Sequence, residues 1–218
     1  ILHLNIIVAP SMDRLLYRMI TLNNGQKRMS PRHQIDILSE TMFDFENLSL
    51  RNQSHKTKQV SSNKLSVHRS DIVKGYIAFL ANTTAIDNKL IIEEKMDELI
   101  AERIIASDIS SDGYEFTEVL GWIADRSVDS AISKWFLSGN NFIGFCVAAR
   151  NNFDELKDES IESLNVQIAR FENIFLNFDK KKIKVGDYRR RMVAEYFGAL
   201  SRFKVSSDSD VVIELSQK

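Results

Sequence analysis

Glycine and proline are scarce, 8 and 2 in 218 residues. These two residues supply most sharp turns and helix breaks, so their scarcity excludes a turn-rich β sandwich or barrel and points to long helices. From residue 70 onward, apolar residues recur at steps of three and four. Helices are predicted over 70–80, 87–106, 116–125, 127–137, 141–150, 158–179 and 186–203, six or seven that pack as a bundle. The clearest is 158–179, where Ile161, Leu164, Ile168, Phe171, Phe175 and Phe178 share one face. Residues 141–150 are apolar on nearly all sides, which predicts a buried helix. The apolar stretch Val211 to Leu215 in the polar tail reads as an added strand. There is no internal repeat, and no heptad pattern is sustained.

The N-terminal region is patterned differently. Leu4 to Ala9 reads as a strand, so the chain opens inside an element and is expected to be a fragment of a longer protein. No basic stretch followed by an apolar one marks a signal peptide. Asn23-Asn24-Gly25 is a turn signal, because Asn and Gly tolerate positive φ. Ser30-Pro31 then starts a helix: Ser accepts from free amides and Pro fits the first helical position. That helix is predicted to run to about Asn47, with Ile35, Leu38, Met42 and Phe45 on one face. The expected organisation is a strand–turn–helix unit over 1–48, a basic polar linker over 49–69, a helical domain over 70–205 and a tail over 206–218. The fold class is therefore α+β, α-dominated.

Composition excludes several functional classes. A 44% hydrophobic content with 13 Phe is incompatible with intrinsic disorder. One cysteine allows neither a disulfide framework nor a zinc knuckle. The longest apolar run, Phe142 to Ala149, is far short of the ~20 residues of a membrane span. No membrane partner and a cytoplasmic location are expected. His3, His33, His55 and His68 lack ligand spacing, so no metal is expected. No Gly-rich phosphate loop or nucleophile elbow is present. Cys146 sits in an apolar helix and reads as a core thiol, and Glu93, Glu94, Asp97 and Glu98 read as a solvated helix face.

A formal charge of −1 hides an uneven distribution. Residues 1–70 carry ten Lys/Arg against five Asp/Glu, residues 71–178 nine against nineteen, and residues 179–218 ten against six. Asn23, Asn24, Gln26, Lys27, Arg28 and Arg32 surround the turn that leads into the Pro31 helix. A helix N-terminus with unpaired amides favours an anion, and three cations and three amide side chains are suited to a phosphate or a nucleotide. Two further basic stretches bear on nucleic acid. One holds Arg51, Lys56, Lys58, Lys64 and Arg69. The other holds Lys180, Lys181, Lys182, Lys184, Arg189, Arg190 and Arg191, with Asp187 intervening. Such groups neutralise phosphates and release counterions, which favours DNA as a partner. No aromatic pattern specific to RNA recognition accompanies them.

The run Tyr17 to Ser30, containing Leu22-Asn23-Asn24-Gly25-Gln26-Lys27-Arg28-Met29-Ser30, resembles the second signature of DGQHR-domain proteins and their ParB-like relatives. In that group a hydrophobic strand leads into such a turn and then a helix. Ile6 to Pro10 resembles the strand that precedes it. The group's other signature, a DGQHR or DGQQR turn, is not in this sequence and in family order falls before residue 1. The resemblance covers about the first 45 residues and implies a partial ParB-like domain. It implies a role in bacterial DNA modification, restriction or anti-phage defence, with DNA as partner and a nucleoside triphosphate as the candidate cofactor. Two other readings stand beside it: a non-catalytic helical adaptor subunit of a larger assembly, and a nucleotide hydrolase or nuclease.

Overall fold

A computed structural model describes residues 67–86, 111–178 and 185–217. These form eight helices and, among the described residues, no strand: α1 (Arg69–Ala81), α2 (Ser111–Arg126), α3 (Ser130–Phe136), α4 (Gly139–Leu156), α5 (Ile161–Leu176), α6 (Val185–Gly198), α7 (Leu200–Val205) and α8 (Asp208–Ser216). The α-dominated character is thus observed. The strand–turn–helix unit of 1–48, the linker up to residue 66 and the 87–106 helix lie outside the described residues.

The helix α4 is the centre. Its residues Asn141 to Ala149 are all buried, as their apolar character on every side predicts. Two helices run parallel to it, one on each flank. Along α1, Asp71 lies against Gly139, Gly75 against Phe142 and Cys146, and Asn82 against Asn151. Along α6, Gly186 lies against Asn140, Gly144 against Arg190 and Val193, and Gly198 against Ala148. The contact between α4 and α6 is close. A Cβ at Gly144 would stand 2.5 Å from the Arg190 carbonyl oxygen, a backbone atom that cannot rotate away. Only glycine permits this separation. Parallel neighbours require a return path, and α5 provides it, antiparallel to α6 through the Glu172–Arg189 and Gln167–Tyr196 pairs.

Helix limits follow local chemistry. Asp129 accepts from the Ala131 and Ile132 amides and starts α3, and Ser160 accepts from the Ser163 amide and starts α5. The Asp129 carboxyl is held below its ordinary pKa, first by the Ile132 amide and then by that of Ala131, against a desolvation effect of opposite sign. Ser127, expected inside this helix, instead closes α2 by donating to the Ile123 carbonyl. The first helix begins at Arg69 behind His68, which makes no side-chain cap bond, so Ser70 and Asp71 are first-turn residues. Asn82 ends it in the left-handed region, φ 46° and ψ 46°, a conformation Asn tolerates.

Two expectations are corrected. Residues 211–215 are not a strand but the body of α8. Ser207 accepts from the Asp210 amide, Asp208 and Asp210 occupy the first turn, and Val211 and Leu215, four apart, are buried together. The single helix over 186–203 is two helices, because Ala199 leaves the helical region at φ −123° and ψ 32°. The bend lets Phe203 reach the core, stacked on Tyr196 with centroids 5.6 Å apart.

Candidate functional site

The parallel run of α1, α4 and α6 brings three helix N-termini to one end of the bundle. Asp71 in the first turn of α1 touches Gly139 at the start of α4, and Asn140 touches Gly186 at the start of α6. Amides that lack intrahelical partners and the positive ends of three dipoles collect there. The end of α5 lies at the same level but points its carbonyls in the opposite sense.

Beneath this end lies a closed polar ring. Trp135 Nε1 donates to Glu172 Oε1 at 2.7 Å, and Arg189 Nη2 donates to the same oxygen. Arg189 Nε donates to Asn141 Oδ1 at 2.6 Å, and Asn141 Nδ2 donates to the Trp135 carbonyl at 2.9 Å. Four residues from α3, α4, α5 and α6 thus complete a circuit. The Arg189 guanidinium also lies over the Phe175 ring, 4.8 Å from its centroid. A cation held by a carboxylate, an amide and an aromatic face is committed to the fold.

The three arginines expected to bind DNA therefore divide. Arg189 belongs to the ring. Arg190 is buried, at 4% exposure, with its Nε 3.4 Å from the Gly186 carbonyl. Arg191 is partly exposed, with its guanidinium 5.4 Å from the Tyr188 ring centroid and, among the described residues, no hydrogen-bond partner for its Nε. Arg69 is the first residue of α1. Asn23, Asn24, Gln26, Lys27, Arg28, Arg32, Lys56, Lys58, Lys64, Lys180, Lys181, Lys182 and Lys184 lie outside the described residues. No protein-family model, characterised protein or solved structure matches this chain.

A concavity of about 380 Å³ opens between α1, α2 and α4, lined by Phe79, Glu115, Glu118, Asn151, Asn152 and Asp154 among others. Its polar groups are largely paired. Arg150 meets Glu115 at 2.8 Å, Asp154 meets Lys157 at 2.5 Å, and Asn151 and Asn82 exchange amide hydrogen bonds at 3.0 and 2.9 Å. Asn152, at φ −150° and ψ 37°, interrupts α4 here and donates to Glu155 and to the Gly198 carbonyl. Among the described residues no group of three His, Cys, Asp or Glu could hold a metal. Cys146 is fully buried and desolvation pushes its thiol far up, so it is inert, as its apolar helix predicts.

Glu172 and Asn141 escape a reading of the sequence. The one available signal is Glu172 itself, a lone acid between Phe171 and Phe175 in an otherwise apolar stripe. An acid so placed needs a cation from elsewhere in the chain.

Proposed function

We propose that this chain is a DNA-directed protein of a bacterial DNA-modification, restriction or phage-defence system, of the DGQHR/ParB-like kind. In this reading the helical body is a platform, and Asn23, Asn24, Gln26, Lys27, Arg28 and Arg32 serve a backbone phosphate or a nucleoside triphosphate. One observation carries the reading. The helices α1 and α6 begin at the same end of the bundle, and in sequence a basic stretch leads towards each, Lys56, Lys58 and Lys64 ahead of the first and Lys180 to Lys184 ahead of the second. Three helix N-termini on one end, two of them approached in sequence by basic stretches, favour an extended polyanion.

The division among the arginines makes the test specific. Replacing Lys180, Lys181, Lys182 and Lys184 together by Ala should weaken binding to any duplex. It should also flatten the dependence of log affinity on log salt by about one unit per lysine that touches a phosphate. Arg189→Ala should lower the melting temperature and leave the salt slope unchanged. Affinity indifferent to the four lysines would overturn the reading.

The adaptor reading is favoured by a separate observation: two arginines of the second basic stretch are committed within the fold. It predicts a stable complex in a pull-down from the native host, with no retention on DNA at low salt.

A further inference from the structure

We propose that residues 199–217 form a detachable strap fastened by Arg170. In this structure α7 and α8 lie closed over α5 and α6; the two open as one unit while the rest of the bundle stays folded. The strap is jointed on both sides of α7. Ala199 leaves the helical region at φ −123° and ψ 32°, and Ser206 leaves it at φ −84° and ψ 152°. Its two helices are six and nine residues long. Both are shorter than the roughly 12 residues at which an isolated helix begins to hold in water, so each is helical only while docked. The docking is thin. Of residues 200–217 only Leu200, Phe203, Val211 and Leu215 are buried, whereas every residue from Asn141 to Ala149 in α4 is. A segment with few buried side chains is the part of a fold that opens first.

What holds the strap beyond those four side chains is charge. Arg170, on α5, donates through Nη1 to the Phe203 carbonyl and through Nη2 to the Ser206 carbonyl, each at 2.6 Å. Its Nε donates to Asp208 Oδ1 at 2.7 Å. One guanidinium thus grips the end of α7 and the start of α8 at their joint, and it lies beside Tyr196 of α6. Lys204 pairs with Glu159, and Ser201 donates to Glu155. Each of these ties includes an ionised group, and salt screens the pairs of opposite charge while it leaves apolar contacts intact. The three Arg170 bonds are charge-assisted, which makes this the strongest of the ties. Arg202 on α7 pairs with Glu214 on α8, so the two helices travel together. Opening uncovers Tyr196, which now lies stacked on Phe203 with centroids 5.6 Å apart. The strap therefore controls access to this part of α5 and α6. The inference does not depend on the DNA reading.

Hydrogen exchange of the whole chain, read by mass spectrometry, tests it in salt from about 20 to about 500 mM, over which the screening length falls several-fold. The α8 amides should exchange together, at least about tenfold faster than those of Asn141 to Ala149, and faster still at high salt. Arg170→Ala should accelerate α8 by about a further tenfold, leave α4 protected and remove most of the salt dependence. Arg126→Ala, which also takes a guanidinium off helix-end carbonyls, should leave α8 unchanged. If Arg170→Ala fails to fold, the salt series on the unmodified chain still decides. Exchange of α8 as slow as that of α4 would overturn the proposal, since the strap would then open only on global unfolding. So would α8 exchange indifferent to salt, or an Arg170→Ala chain in which α8 keeps its protection.

Discussion

The two ends of the bundle treat arginine differently. At the far end, where α4 runs out, Arg126 Nη2 donates to the Lys157 carbonyl at 2.9 Å and its Nε to the Glu159 carbonyl at 3.1 Å. The Trp122 indole donates to that same Lys157 carbonyl, and the guanidinium lies 4.1 Å from the Trp122 ring centroid. There a cation closes over helix-end carbonyls, the placement that dipoles favour. At the near end, beside three N-termini, the same placement would be repulsive. Arg189 is accordingly neutralised by a carboxylate and turned under the surface. One end covers its carbonyls with an arginine, and the other pairs its arginine with a carboxylate beneath the helix starts.

If that contrast is right, removing Arg189 should cost the most. Arg189→Ala leaves Glu172 among aromatic rings with only the Trp135 indole as donor and deprives Asn141 Oδ1 of its donor. Because Glu172 retains some access to water, the loss should be about 2 kcal/mol, less than for a fully buried pair. Urea denaturation measures it. A double variant with Glu172→Gln should recover part of the loss, since the stranded charge is then gone. Arg126→Ala should cost less, about 1.5 kcal/mol, because the two carbonyls it leaves can be hydrated and no charge is stranded. Equal losses at the two ends would break the comparison.

A third variant sharpens it from the core between them. Tyr196 donates to Gln167 Oε1 at 2.8 Å, and burial pushes its phenol up to about 12 from an ordinary value of 10.0. The folded state therefore favours the neutral phenol. Its contribution is complete below pH 10 and is lost as pH rises towards 12, where the unfolded chain ionises first. Tyr196→Phe should cost about 1 kcal/mol at neutral pH by leaving the Gln167 oxygen without its donor. It should also make the alkaline fall in melting temperature between pH 10 and 12 shallower, the remainder including Tyr188, whose phenol burial also pushes up.

These residues show how far the sequence is legible. The 3–4 spacing of Ile161, Leu164, Ile168, Phe171 and Phe175 is a local signal, and it marks both the helix and its buried face. The all-apolar block of α4 likewise announces a central helix. What cannot be read locally is where a side chain far along the chain will arrive. Arg189 looks like part of a basic cluster with Arg190 and Arg191, and its partners Glu172 and Asn141 lie 17 and 48 residues away. Gly144 looks like an accident in an apolar run until the Arg190 carbonyl is found against it. In the tail, β-branched Val211, Val212 and Ile213 suggest a strand. The Ser207 cap and the docking of Val211 and Leu215 override that preference. The candidate phosphate site is legible only as chemistry, since its residues 23–32 fall outside the described ones.

The smallest effect expected is also the one that separates the near end from any other polar corner. Asp71 sets its carboxylate against Gly139, so that an added Cβ there would stand 2.7 Å from Oδ2. It supplies negative charge where the start of α4 favours an anion, and to that extent it competes with a phosphate. Asp71→Asn should then have two effects of opposite sign. Stability should fall by about 0.5 kcal/mol, the worth of one carboxylate near a helix N-terminus. DNA affinity at low salt should rise a few-fold, because one repulsive charge is gone, and the gain should fade as salt screens it. Filter binding across a salt series, beside a melting curve, reads both. A loss of stability with no gain in affinity would mean that the amides at this end serve the fold alone, and the DNA contacts would then have to be sought away from the three N-termini.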